Sequence, residues 1–102
     1  MARKPNILLV DDYEVNLDLL EAYLELSGIP LELYKAHNGA EAYAIIEQYT
    51  LDLILLDVML PDTSGYDICR WVKEHKLYQN IPVIMITALN DKKDMLQGLQ
   101  SG

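Results

Sequence analysis

Apolar and polar positions along the chain follow two alternating periods. Asn6–Val10 is an apolar run too short for a free-standing helix and suited to a strand buried on both faces. Asp11 and Asp12 end it. Over Glu14–Leu26 the spacing becomes helical, with Val15, Leu19, Ala22, Tyr23 and Leu26 on one face. Glu14, Asp18, Glu21 and Glu25 recur at the same spacing on the opposite face, which predicts an amphipathic helix with a solvated acidic flank. Gly28 is the expected stop, and Pro30 opens the next segment.

The cycle then repeats. Residues 31–36 suit a strand, Asn38-Gly39 a turn and cap, and residues 40–49 a helix. Residues 53–56 form a second apolar run that ends at Asp57. Turn chemistry over residues 61–65 follows, with Ser64 as the expected N-cap of a helix reaching about His75. A third run, residues 81–86, ends at Thr87. Asn90 or Asp91 would cap a last helix that Gly98 weakens. Strands alternating with helices across short loops predict one α/β domain, residues 1–102, built on a parallel sheet.

Charge narrows the partners. Sixteen acids stand against eight bases, a formal net charge of −8. That disfavours nucleic acid, whose phosphates require clustered Lys and Arg, and it disfavours anionic membrane surfaces. No apolar run approaches the roughly 20 residues of a membrane span, and the polar start does not resemble a signal peptide. Cys69 is the one cysteine, so no internal disulfide is needed. A cytoplasmic domain is expected.

The strand ends carry the candidate chemistry. In open parallel sheets, sites gather at the carboxyl edges of the strands. Asp11, Asp12, Asp57 and Thr87 all stand directly after apolar runs and should converge on one rim. Crowded carboxylates repel unless a cation joins them. Hard oxygen ligands suit Mg²⁺, which leaves coordination positions for phosphoryl oxygens. One carboxylate would then serve as the nucleophile of an acyl phosphate, with Thr87 hydrogen-bonded to a phosphoryl oxygen.

The segments Ile7-Leu8-Leu9-Val10-Asp11-Asp12, Leu53-Ile54-Leu55-Leu56-Asp57-Val58-Met59-Leu60-Pro61 and Ile81-Pro82-Val83-Ile84-Met85-Ile86-Thr87-Ala88 resemble the receiver domain of two-component response regulators. Gly65-Tyr66-Asp67 and the closing Gly98-Leu99-Gln100-Ser101-Gly102 fit the same pattern, in order, over essentially the whole chain. The resemblance implies a doubly wound parallel sheet of the flavodoxin and CheY type, with strand order 2-1-3-4. It implies that Asp57 is the phosphoacceptor, supplied by a phosphohistidine on a sensor histidine kinase or phosphotransfer protein. Asp12 and Asp57 would bind Mg²⁺ directly, Asp11 would act largely through water, and the Met59 main-chain carbonyl would complete the protein ligands. Thr87 would be the switch hydroxyl and Ala88 its small neighbour. Asn16 lies near enough in sequence to line the pocket.

One departure from the family pattern carries its own expectations. The pattern continues past Ser101-Gly102 through a fifth strand bearing a lysine and then a fifth helix, and Lys92 and Lys93 do not stand at that lysine's place. The reading is therefore a truncated receiver with impaired phosphorylation. It should form a homodimer through the strand 4 edge or the uncovered sheet face. The alternative is a switching-incompetent dimerisation or docking module. A phosphatase with an aspartyl nucleophile would place a second Asp two residues on as acid and base, where this chain has Met59. A signalling domain rather than an enzyme is expected. His37 and His75 read as surface or helix-end residues, Cys69 as core, Met59, Met85 and Met95 as packing residues, and Trp71 as half exposed.

Overall fold

A computed structural model describes residues 4–86. The elements run β1 (Asn6–Val10), α1 (Glu14–Leu26), β2 (Glu32–Ala36), α2 (Gly39–Gln48), β3 (Leu53–Asp57), α3 (Gly65–Glu74) and β4 (Val83–Ile86). The four strands form one parallel sheet in the order β2-β1-β3-β4, as expected. Thr87, Ala88 and the last expected helix, with Asn90, Asp91, Lys92, Lys93, Met95 and Gly98, lie outside the described residues.

Local chemistry sets the boundaries. Asn38 caps α2, its Oδ1 accepting from the Glu41 N–H at 2.8 Å. Ser64 caps α3, its Oγ accepting from the Tyr66 N–H at 3.0 Å. Gly28 takes a φ of 74° just after α1, a conformation that costs a side chain dearly. β4 starts at Val83, two residues later than the apolar run. Pro82 has no N–H to give the ladder and contributes only its carbonyl, which accepts from the Ile54 N–H at 3.0 Å.

Strand alternation sorts the core into two layers. Leu8, Val10, Ile54 and Leu56 point to one face, where Ala42 and Ile46 of α2 and Ile68 and Val72 of α3 cover them. Ile7, Leu9, Leu53 and Leu55 point to the other, toward Leu17 of α1. Each fully buried leucine or isoleucine contributes about 1.5–3 kcal/mol. Cys69 and Met85 pack partly buried against the first layer, as does Trp71, edge-on to Tyr43 with ring centroids 4.8 Å apart. His75 ends α3, its Nδ1 accepting from the Leu77 N–H. Met59 is not a packing residue: it is exposed on the loop after β3.

The buried face of α1 differs from the sequence expectation. Leu17 is buried, and Leu20 and Leu24 pack beside it, whereas Val15, Leu19, Tyr23 and Leu26 are exposed. Two apolar stripes lie on opposite sides of this helix, with the acids between them, so periodicity alone does not choose. Tertiary contacts choose, through the Asn16 amide held by Asp11 at 3.2 Å and Lys35 of β2 paired to Glu21 at 2.7 Å. Leu19→Ser and Tyr23→Ser should therefore each shift stability by less than about 0.5 kcal/mol in urea melts. A loss of several kcal/mol would restore the face expected from the sequence.

Among the described residues, β4 has no strand beyond it, and α1 alone covers the second face. Ile84, on that face opposite Leu55, is half exposed.

Candidate functional site

Three carboxylates meet at the carboxyl edge of the sheet. β1 and β3 are parallel neighbours in register, Val10 beside Leu56, so Asp11, just after β1, and Asp57, the last residue of β3, are brought together. Asp11, Asp12 and Asp57 each place an oxygen within 4.8 Å of the others. Asp11 and Asp57 are both 2% exposed, while Asp12 is open to solvent. The convergence expected from the strand ends is therefore present for all three.

The protein has already committed much of Asp11. Its N–H donates to the Ala36 carbonyl at 3.0 Å, fixing it beside the end of β2. Its Oδ1 accepts from the Tyr13 N–H at 2.9 Å, and its Oδ2 from the Asn16 amide at 3.2 Å. Asn16, only a weak candidate by position, thus orients an acid of the site. Burial pushes the Asp11 carboxyl above its ordinary range, although the Tyr13 and Asn16 donors pull it back.

Asp57 is more strongly perturbed. Burial first, and the negative charge of Asp11 second, push its carboxyl up to about 6, and the Met59 N–H offsets this in part. Among the described residues, no ion pair reaches any of the three acids. Crowded oxygen donors of this kind, two of the three carboxylates buried, fit a hard divalent cation, which would relieve both the desolvation and the repulsion.

The loop after β3 closes tightly beside them. The Gly65 N–H donates to the Val58 carbonyl at 2.7 Å, and the Leu60 N–H to the Thr63 carbonyl at 3.2 Å. Met59 and Ser64 thereby face one another as an isolated antiparallel bridge, which leaves the Met59 carbonyl outside these bonds. Gly65 is required here, since a Cβ on it would fall onto the Asp57 main-chain carbonyl. The motif Gly65-Tyr66-Asp67 signals this only as a helix start; the close approach to Asp57 is tertiary.

Two further ties frame the rim. The ring of His37, after β2, meets Glu14 of α1 at 2.6 Å and Glu41 of α2 at 3.0 Å. Both carboxylates hold its imidazole above its ordinary pKa, Glu14 the more strongly. Asp62, in the loop after β3, accepts from the Gly39 N–H at 2.7 Å and the Ala40 N–H at 3.0 Å. These donors hold its carboxyl below the usual range. Nothing in local sequence pattern signals that contact, because its two sides lie 23 residues apart. Among the described residues, no helix is long and apolar enough to cross a membrane.

Comparison with known proteins agrees with this geometry. The chain is 44% identical over 96 residues to the response regulator PleD of Caulobacter vibrioides, which covers 94% of this chain and 21% of that protein. It is 35% identical over 97 residues to the polar-differentiation response regulator DivK of Brucella anthropi, covering 95% of this chain and 77% of that protein. The chain thus spans about a fifth of PleD's length and about three-quarters of DivK's. The structure of the phosphorylated cyanobacterial phytochrome response regulator RcpA superposes with a TM-score of 0.79 at 27% identity, covering 96% of this chain and 75% of that one. The family model for the response regulator receiver domain matches residues 7–102. A four-stranded parallel sheet ordered 2-1-3-4, with three acids at its carboxyl edge, is what that match implies, and the chain belongs to the response regulator receiver domain family of two-component systems.

Proposed function

We propose that this receiver binds Mg²⁺ at Asp11, Asp12 and Asp57 and accepts a phosphoryl group on Asp57. The observation that carries the reading is the cluster itself: three carboxylates within 4.8 Å, two of them buried, at the carboxyl edge of a parallel sheet. When bound, Mg²⁺ supplies charge neutralisation for the incoming phosphoryl oxygens. Asp12 is the solvent-open acid and is suited to ligate directly. Asp11, with one oxygen on Tyr13 and the other on Asn16, is suited to act largely through water. The Met59 carbonyl, outside the bonds that close its loop, would be the main-chain ligand.

Receiver domains work with histidine kinases or phosphotransfer proteins, so the donor is a phosphohistidine. An Asp57 carboxylate oxygen attacks phosphorus, the P–N bond breaks, and the imidazole leaves with the electron pair and takes up a proton. The product is an acyl phosphate on Asp57. Thr87 and Ala88 keep their proposed roles as switch hydroxyl and small neighbour. RcpA, with the same fold, was solved phosphorylated, which supports the reading by analogy.

The test is direct. Incubation with Mg²⁺ and a small acyl-phosphate donor should add one phosphoryl group by mass spectrometry, and chelation of the metal or Asp57→Ala should abolish it. An unmodified parent chain under saturating donor and Mg²⁺ would overturn the reading.

A further inference from the structure

We infer that Asp62 is a positioning residue for the metal-binding loop, latching the loop after β3 to the first turn of α2. This inference rests on the proposed Mg²⁺ site, because the loop it holds carries the Met59 carbonyl. The loop is fastened at two places. Its base is closed by Gly65 on Val58, and its tip turns back through Leu60 on Thr63. Beyond that tip, Asp62 reaches across to α2 and takes both the Gly39 and the Ala40 N–H groups.

The opposite surface is shaped to receive it. Gly39 is buried, and a Cβ on it would collide with the Thr63 methyl group and press on the Asp62 carboxylate. Two successive loop residues therefore seat on one glycine. α2 has its own side-chain cap besides Asp62, since Asn38 takes the Glu41 N–H. Two acceptors on the same helix end make different contributions. Asn38 is local to the helix it caps, while Asp62 belongs to a loop 23 residues away and fixes where that loop lies. Losing Asp62 would free the tip while leaving Asp57, Asp11 and Asp12 in place at the ends of their strands.

The pair of caps provides its own control. Mn²⁺, read by electron paramagnetic resonance, is the metal probe, and amide hydrogen exchange at Leu60 and Gly65 is the second readout. Asp62→Ala should weaken Mn²⁺ binding roughly tenfold, the low end of what second-layer partners of metal ligands are worth, and speed exchange at both amides. Asp62→Asn, which keeps a carbonyl acceptor, should recover part of both. Asn38→Ala should lower the Tm by about 4–8 °C, as a lost cap does in a domain of this size, yet leave Mn²⁺ affinity and loop exchange at the parent's values. Parent-like affinity and exchange in Asp62→Ala would overturn the inference, as would equal losses in Asn38→Ala. A parent chain with no saturable Mn²⁺ binding would overturn the metal site itself, and loop exchange in Asp62→Ala would still decide whether the latch exists.

Discussion

Gly65→Ala is expected to cost about 2–4 kcal/mol and to remove divalent-cation binding together with phosphoryl acceptance. The added methyl group has nowhere to go: its nearest neighbour is the main-chain carbonyl of Asp57, with the carbonyl carbon and the Met85 terminal methyl each at 3.0 Å. Backbone cannot swing aside as a flexible side chain can. Overpacking of this kind costs about 1–3 kcal/mol, and the Gly65–Val58 hydrogen bond lost in the adjustment adds about 1 kcal/mol. Whichever side yields, either the end of β3 or the start of α3 is displaced, and Asp57 or the Met59 loop moves with it. Chemical denaturation gives the stability change, and calorimetric titration with Mg²⁺ gives the binding. Parent-like stability with intact binding would show that the approach of Gly65 to Asp57 is not tight.

The second large effect concerns Asp57 in the metal-free chain. Its carboxyl titrates at about 6 in the folded protein against 3.8 for the free group. The folded state therefore holds a proton that the unfolded state has released, and stability falls as pH rises between about 4 and 6. Above that window the accumulated loss is on the order of 3 kcal/mol, at about 1.4 kcal/mol for each pH unit between the two titration points. Asp57→Asn, nearly the same in shape and uncharged, should accordingly stabilise the metal-free chain by about 2–3 kcal/mol at pH 7.5 and leave it unchanged near pH 4. Mg²⁺ should raise the Tm of the parent at pH 7.5 and have little effect on the variant. Thermal melts at the two pH values, with and without Mg²⁺, test this. Equal stability of parent and variant at pH 7.5 would mean that Asp57 carries no buried charge.

How far the sequence anticipates these results depends on which interactions are local. The strands, their parallel sheet and the acids at their ends follow from apolar runs that pass directly into Asp11, Asp12 and Asp57, while the strand order is implied only by the family resemblance. The caps Asn38 and Ser64 act within three residues of themselves and are readable in the same way. The buried face of α1 is not, because its two apolar stripes are equivalent until Lys35 and Asp11 engage Glu21 and Asn16. Asp62 and Gly65 look like ordinary turn residues. Their roles arise from Gly39 and from the Asp57 backbone, which only the assembled sheet brings near.

The central place of β1 bears on how such a chain is made. β1 is synthesised before its partners β2 and β3, with Ile7 and Leu8 joined to Leu53 and Ile54. Parallel pairing over such separations forms slowly, since the loop must close before its contacts form. A ribosome-bound chain that has released β1, α1 and β2 but not β3 therefore exposes one whole side of β1. The Asn6 N–H, held at 2.7 Å by the Asp52 carboxylate, has no such acceptor until the turn before β3 emerges. The acidic pair after β1 meets Asp57 only when the third strand docks, so the charge crowding of the site comes late.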